Sequence, residues 1–389
     1  MPFTGRSTFG PGVDAPELAE DISDLVSIVS PFETPFLDYL GDARKSAQNT
    51  IHEWMEDELL PNTDSVNQSS FTPNANDVTA ITVFNGARFR VGDQVRPGNS
   101  REVMFVTAVA TNILTVARRY GGTPASALSN GLKLTILGGS ALEGDDRPET
   151  RFTNRARKRN WTQIFTAAVE VSGTLLSARK VGVADEMDYQ RQERLRELLR
   201  DLENSVINGV APTVNPQGGV SSRRTMNGIA AQILTNNFQP NSGGIPAGGG
   251  GGLNELTEPV LNAALRLVWE SAQSRIDTIL VGGAQKRRIN SFLTGFRRAD
   301  TTDTNFRDLV STYESDFGLC RVILSRWVPT DTVLLLDSSR IEVLPLVGRS
   351  FFSKPLAAVG DKDHAQLIGE YTLEFRNELA HAAIRGLAT

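Results

Sequence analysis

The segment 161–209 restricts what this chain can become more than any other. Its first part, WTQIFTAAVEVSG, alternates apolar and polar residues late on and sets Val169 and Val171 on one face of a strand. The run GVADEMDYQRQERLRELLRDLENSVING that follows predicts one helix of about 25 residues, roughly 35–40 Å long. Its apolar stripe is narrow: Leu195, Leu198, Leu199, Leu202 and Val206 keep three-four spacing, and only Ala184 and Met187 continue it in the first half. Acid-to-Arg pairs three apart occupy the other faces, Asp188 with Arg191, Glu193 with Arg196 and Glu197 with Arg200. Such a helix buries one edge and offers the rest to solvent or polar partners, until Gly209 stops it. Gln190, Arg191 and Arg194 interrupt the heptad positions that a coiled coil would need.

A chain of 389 residues, 40% hydrophobic and 22% charged, can bury a sizeable core around that helix and form about two or three structural units. No apolar run approaches the ~18–20 residues of a membrane span, and MPFTGRSTFGPGVDAPELAED has no basic-then-apolar signal, so a soluble chain with no membrane partner is expected. The single cysteine, Cys320, rules out an intrachain disulfide framework and a Cys-based zinc site. A net charge of -5 argues against dedicated nucleic-acid binding, which needs unbalanced Lys and Arg.

Ahead of the long helix come an arm and an excursion. Leu18, Ile22, Leu25 and Val29 form the stripe of a short helix over 15–29, which Pro31 ends. Pro31 and Pro35 bracket an extended segment presenting Phe32, Phe36, Leu37 and Tyr39. An arm with so little core of its own must lie on the rest of the chain or on a neighbour. IHEWMEDELL is acidic through Glu53, Glu56, Asp57 and Glu58, whereas RFTNRARKRNW, far downstream, is basic through Arg151, Arg155, Arg157, Lys158 and Arg159. Opposite charges facing each other across strands are favourable by ~0.2–1 kcal/mol per pair, so these stretches are expected to pair as a hairpin. A solvated face and a nucleic-acid patch are the other readings of the basic run. Between them, FRVGDQVRP, EVMFVTAV, NILTVARRYGG and GLKLTILGG are short β-rich runs at small-barrel spacing, flanked by the polar linkers NQSSFTPNAND and GGSALEGDDRPE.

Beyond the helix, NNFQPNSGGIPAGGGGGLN is low-complexity and reads as a mobile surface loop. A helix over 257–274 with Leu261, Leu265 and Val268 inward, the buried strand IDTILVG, the helix GAQKRRINSFLTG and strands around CRVILSRWV and TVLLLD predict a sheet with helices packed on it. The tail from IEVLPL onward is strand-like at both ends.

Catalytic signatures are lacking. The glycines at 248–252 are not followed by Gly-Lys-Ser/Thr, and Asp316-Phe317-Gly318 has no kinase context, so Phe317 reads as core and Gly318 as a turn. His52, His364 and His381 are far apart with no cysteine near them, leaving little for a metal site or a triad. Neither an enzyme nor a cofactor is expected.

The order of parts, an arm, a hairpin loop, a long helix, an α/β region with a Gly-rich loop and a strand-rich return, resembles the major capsid proteins of tailed phages with the HK97 fold. More narrowly, SPFETPFLDYLG with HEWMEDEL, NWTQIFTAAVEVSGT, and YESDFG with GEYTLEFRNELAHAAIRGL are similar to the SU10-type major head protein family. The resemblance implies an α+β fold with an N-arm (1–50), an E-loop hairpin (51–165) carrying a small all-β insertion at about 78–140, and a P-domain (166–215) with a spine helix over 184–208. It further implies an A-domain (216–338), a return to the P-domain (339–376) and a final A-domain strand (377–389). The implied function is that of a shell subunit, forming hexamers and pentamers of an icosahedral head around double-stranded DNA held by non-specific contact. Implied partners are the chain itself with portal, scaffolding and decoration proteins, and the implied location is the virion shell, reached from the host cytoplasm. An encapsulin-like nanocompartment shell, or a nucleic-acid-binding protein using 151–159, would be the alternatives. Glu53, Glu56, Glu58, Arg155, Arg157 and Arg159 are then candidates for charge pairing between subunits.

Overall fold

A computed structural model describes residues 34–389 apart from 58, 99, 145–149, 151, 154, 178–184, 273–274, 293–311 and 358–359. The expected helix over 15–29, Phe32, Glu58 and Ala184 lie outside the described residues. Two compact units result: one takes the described chain up to Trp54 together with Arg157–Thr389, the other takes Met55–Ala156.

Where an extended arm was expected, Pro35–Leu40 forms a short helix, α1, with the proline at its start, where a missing N–H costs nothing. Phe36 is fully buried, and Leu37 and Tyr39 pack beside it on the main core. The arm therefore lies on its own chain at this point. Strand β1 (Ile51–Glu56) then leads away from the first unit.

In the second unit, strands β2 (Thr63–Ser65), β3 (Ala80–Thr82), β4 (Asp93–Pro97), β5 (Met104–Ala110), β6 (Ile113–Ala117) and β7 (Lys133–Gly139) are joined in the order β2-β7-β4-β5-β6-β3. A bridge between Val66 and Val83 links the two ends of that order, closing a small barrel. Alternation does the sorting: Val95, Met104, Val106, Leu114, Val116 and Leu134 point into one core. The barrel begins at β2, ahead of the limit of about 78 read from sequence. Strands this short place a single residue inside, Asp64 in β2 and Ile81 in β3, too few to display a period of two. At the core's edge the buried Arg118 grips the buried Glu102 at 2.7 and 2.8 Å. Burial pushes that carboxyl up, but Arg118 and the Ser126 and Arg119 amides together outweigh it and hold it below its ordinary value.

The first unit resumes with β8 (Ala156–Trp161), which pairs with β1, and β9 (Gln163–Ser172), followed by α2 (Gly173–Ser177) and the long α3 (Glu186–Asn208). Asp185 caps α3, accepting from the Met187 and Asp188 amides. Met187, Leu198, Leu202 and Val206 are buried, with Leu195 packed at the edge of the core. Leu199 is only half-buried and lies outside that cluster, while Glu203 and Ile207, which the stripe omitted, are fully buried. Two expected ion pairs form, Asp188–Arg191 at 2.9 Å and Glu193–Arg196 at 2.6 Å. The third does not: Glu197 turns back to Arg194 at 2.5 Å, and Arg200 approaches Asp201. Gly209 ends the helix in extended backbone, φ -55°, so left-handed freedom is not its role. A Cβ there would meet Ser205 O at 2.4 Å and Met226 O at 2.8 Å, so the site admits glycine by close approach.

After α4 (Ile229–Gln232) and β10 (Asn237–Phe238) the chain lays down α5 (Glu258–Ala272), β11 (Thr278–Val281), α6 (Gly283–Phe292), β12 (Thr312–Ser315), β13 (Gly318–Leu324), β14 (Val333–Leu336), β15 (Ile341–Pro345), β16 (Phe352–Pro355), β17 (Lys362–Phe375) and β18 (Ala382–Ile384). One sheet runs β10-β18-β14-β11-β13-β12, with every residue of β11 and β14 buried, as the apolar runs predict. Val260, Leu261, Leu265 and Val268 of α5 and Ile289 of α6 share its core, and Phe317 packs against it. Gly318 makes its turn at φ 138°. The other sheet centres on β17, which pairs with β9 along one side and with β15 and β16 along the other; α3 packs against β9 and β17.

The Gly-rich loop is more constrained than its composition suggests. The Gly248 amide donates to Leu253 O at 2.7 Å, Gly249 bridges Glu255, and the Glu255 side chain folds over Gly250 and binds Arg288 at 2.9 Å. Ile245 and Leu256, on either side, are buried.

Candidate functional site

The two legs of the hairpin, β1 and β8, pair as their charges predict, and the ladder carries the ion pairs Glu53–Arg157 at 3.4 Å and Asp57–Arg155 at 3.9 Å. All four side chains are exposed, so each contact is worth ~0–1 kcal/mol and is screened by salt. Arg155 thus meets Asp57 and, among the described residues, neither Glu53 nor Glu56. Glu56 is half-buried on β1, and Arg159 lies over the Trp161 ring at 5.7 Å.

The ladder's root is held far more firmly, through residues the sequence reading did not single out. Strand β17 sets Glu370, Thr372 and Glu374 on one face at a spacing of two, opposite Tyr371, Leu373 and Phe375, which face the main core. The two outer members reach different legs. Glu374 Oε2 lies 2.6 Å from His52 Nε2 on β1, and its Oε1 accepts from Lys45 Nζ at 2.9 Å. Burial raises the Glu374 carboxyl, but the His52 and Lys45 bonds outweigh burial and hold it at about 2. Glu370 accepts from Thr162 Oγ1 at 2.6 Å and Arg224 Nη2 at 2.5 Å, and pairs with Arg349 at 2.8 Å. Between them, Thr372 Oγ1 donates to Trp161 O at 3.0 Å.

Asn160 completes the root. Its fully buried amide donates to Leu373 O at 2.8 Å and Asn227 O at 2.9 Å and accepts from the Asn227 amide at 2.9 Å, tying β8 to β17 and to the segment after α3. Arg224 Nε adds a bond to Thr162 O at 2.6 Å. Buried, hydrogen-bonded polar groups hold the end of β8 against β17, while the charged side chains of Glu53, Asp57, Arg155 and Arg157 stay exposed. The signal that could have revealed this is GEYTLEF itself, where polar residues recur at a spacing of two inside an otherwise apolar strand.

The three histidines are structural. His52 is described above, and His364 stands 3.6 Å from Glu170 on the neighbouring strand. His381, fully buried, accepts from the Asp337 amide through Nδ1 and contacts Arg376 O through Nε2, and burial pushes its pKa down to about 4. Among the described residues no group of His, Cys, Asp and Glu could hold a metal ion, and no helix is long and apolar enough to cross a membrane.

Comparison with solved structures shows the fold to be that of HK97-like capsids. The capsid of a native GTA particle covers 98% of this chain and 100% of its own, with a TM-score of 0.52 at 10% identity. A Mycobacterium phage Bobi structure covers 65% of this chain and 81% of its own, with a TM-score of 0.41 at 16% identity. A holo-encapsulin complex from Synechococcus elongatus PCC 7942 covers 60% of this chain and 78% of its own, with a TM-score of 0.39 at 13% identity. No curated protein matches the sequence. The family model for the SU10 major capsid protein matches residues 3–388, nearly the entire length, so the chain belongs to the SU10 major capsid protein family.

Proposed function

We propose that this chain is the major capsid protein of a tailed phage, a structural subunit and not an enzyme, whose copies close into the shell of the virion. Hexamers and pentamers of an icosahedral head around double-stranded DNA are the finer form of that reading. The family match over residues 3–388 carries it. In this reading 1–50 is an N-arm, 51–165 an E-loop, 166–215 with 339–376 a P-domain around the α3 spine, and 216–338 with 377–389 an A-domain. The charge distribution supports it: the paired strands β1 and β8 carry exposed side chains of both signs that a neighbouring copy can meet. Glu53, Glu56, Glu58, Arg155, Arg157 and Arg159 would then divide their charge between the ladder and an adjacent subunit. Portal, scaffolding and decoration proteins would be further partners, with assembly in the host cytoplasm.

Electron microscopy of the purified full-length protein is the test. Closed shells, capsomers or tubes are expected, and shells recovered from infected cells should hold DNA. A stable monomer under all assembly conditions would overturn the reading, and shells filled with a protein cargo would replace it with a nanocompartment.

A further inference from the structure

The outer side of the barrel in the second unit carries an aromatic pair that its core does not use. Phe105 on β5 and Tyr120, in the turn after β6, stack with ring centroids 4.8 Å apart and 16° between their planes. Neither ring belongs to the barrel's core, and Tyr120 is 43% exposed, so the stack keeps an open face. The backbone beneath Tyr120 is fixed. Its amide donates to Val103 O at 2.9 Å, and the Val103 amide donates to Thr123 Oγ1 at 3.1 Å. Just ahead of it, the Arg118 side chain and the Arg119 amide both bind Glu102, with Arg119 in left-handed backbone at φ 59°. The ring is thus held in place before any ligand arrives, which keeps the ordering cost of binding low.

Register and alternation show what surrounds the pair. Across the sheet, Phe105 lies between Gln94 of β4 and Ala117 of β6, and Gln94 lies beside Gly138 of β7. The row therefore has nothing larger than a methyl group at either end, while the Gln94 amide beside the ring offers both a donor and an acceptor. Arg96 follows Gln94 by two residues on the same outer side, a diagonal neighbour of Phe105 at about 7–8 Å. Burial alternates from Arg101 to Val106, which sets Arg101, Val103 and Phe105 outward and Glu102, Met104 and Val106 inward. Two cations thus share the platform's face of the barrel.

The barrel does not neutralise them. Residues 61–140 hold seven Lys and Arg against four carboxylates, and all four carboxylates are engaged elsewhere: Asp64 with Arg88, Asp77 with Arg119, Glu102 with Arg118 and Asp93 with the Arg90 amide. Arg96 and Arg101 are exposed and make no ion pair among the described residues. An open aromatic face, an amide and a phenol at its rim and two unpaired guanidinium groups suit a ring that is apolar on its face, hydroxylated at its edge and anionic. A single-stranded nucleic acid calls instead for stacking rings in succession along a cationic track, and here one stacked pair stands by itself among the described residues of the barrel. We propose that Phe105, Tyr120, Arg96 and Arg101 form a binding site for an acidic saccharide, a pyranose ring carrying a carboxylate. The site goes beyond the shell reading and does not depend on it.

The test is saturation-transfer NMR on the full-length protein, as subunits or as particles, titrated with trigalacturonate, a hyaluronan tetrasaccharide and sialyllactose. Maltotriose, which lacks the acid, and a single-stranded oligothymidylate serve as comparisons. At least one acidic probe should bind, with transfer strongest to the protons on one face of its ring and an affinity that falls as salt rises. Maltotriose should bind at least about ten-fold more weakly. Tyr120→Ala should lower the affinity for the acidic probe about ten-fold, whereas Tyr120→Phe, which keeps the ring, should stay within about three-fold. Arg96→Gln combined with Arg101→Gln should also cost about ten-fold and flatten the salt dependence. That pair has no ion partner inside the barrel, so the double variant should keep its melting profile and carries the test even where Tyr120→Ala fails to fold. No acidic probe bound at about 10 mM would overturn the proposal, as would equal binding of maltotriose or wild-type affinity in the folded double variant. An oligothymidylate that binds more tightly than every acidic sugar, and loses affinity in the same variants, would assign the platform to nucleic acid and overturn it too. A chain that forms no particles yet binds the acidic probe would overturn the shell reading alone.

Discussion

Glu203 reaches from the C-terminal part of α3 to close the start of α1: its Oε2 accepts the Phe36 amide at 3.1 Å and the Leu37 amide at 3.2 Å. Thr34, at the N-cap position, makes no side-chain cap, so a residue from another helix does what a local cap does elsewhere. Ser325 Oγ donates to the other oxygen at 3.0 Å. The carboxyl is fully buried with no cation paired to it among the described residues and with Asp38 nearby; burial outweighs the three bonds and pushes it up to about 7.

That shift and the one at His381 pull stability in opposite directions with pH. Glu203 has a folded value near 7 against 4.5 unfolded, so its contribution is full below 4.5 and lost as pH rises through 7, by about 3 kcal/mol. His381 has a folded value near 4 against 6.5 unfolded, so its contribution is present above 6.5 and lost as pH falls through 4, by a similar amount. Between 4.5 and 6.5 the two slopes offset. Glu203→Gln should expose the histidine slope: urea unfolding of the variant should show stability climbing by about 3 kcal/mol as pH rises from 4 to 6.5, where the wild type stays nearly flat. Parallel pH profiles for the two proteins would refute the assignment.

At the hairpin root, Asn160→Leu removes the acceptor of the Asn227 amide and one donor each from Leu373 O and Asn227 O, the latter keeping Gln232 Nε2 at 3.0 Å. It should lower stability by at least ~2 kcal/mol. Arg157→Ala, which gives up one exposed pair on the shaft, should stay within ~1 kcal/mol. Equal denaturation midpoints for the two variants would show that the root is not the anchor.

Reversal of Glu53 and Asp57 to Lys, or of Arg155 and Arg157 to Glu, should leave a folded subunit that assembles poorly, and the two sets combined should restore part of the assembly seen by light scattering. Each pair is too weak to matter to folding, yet it repeats in every subunit of a shell. Normal assembly of either single set would rule out a role for the shaft charges.

Along α3, Leu198→Ala or Leu202→Ala should cost ~2–5 kcal/mol. Leu199→Ala should cost clearly less, since its side chain lies outside the core cluster, and Arg194→Ala only ~0–1 kcal/mol with its exposed partner Glu197. Thermal melts of the four variants rank them, and a Leu199 loss equal to that of Leu202 would mean a different helix register.

Within the Gly-rich loop, Gly248→Ala and Gly251→Ala should behave differently. A Cβ at Gly248 would sit 2.3 Å from Glu255 O, whereas nothing lies within 4 Å at Gly251. The first should lose ~1–3 kcal/mol and the second almost nothing, as read by the unfolding midpoint. A neutral Gly248→Ala would return this loop to the mobile surface segment that its composition suggests.

Much of this architecture was legible before any coordinates. A sustained three-four pattern can be little but a long helix, and runs such as TILV and VLLL can be little but buried strands, although the Asp185 cap emerged only in the structure. The opposite charges of the two legs anticipated the β1–β8 pairing, although they did not distinguish Asp57 from Glu58 as the partner of Arg155.

What the sequence determined by itself was therefore local periodicity, helix and strand content, the separable β-rich insert and, through the order of those parts, the family. Tertiary structure alone decided which polar residues do the holding: Glu203 with Phe36, Asn160 with Leu373, Glu370 and Glu374 with the hairpin legs. It also turned the arm after Pro35 into a helix and tied the glycine loop to Glu255. The physical reason is range. Period and propensity act between residues a few positions apart, whereas a buried carboxylate or amide is tolerated only where donors and acceptors distant in sequence converge on it, and that convergence exists only in the folded chain.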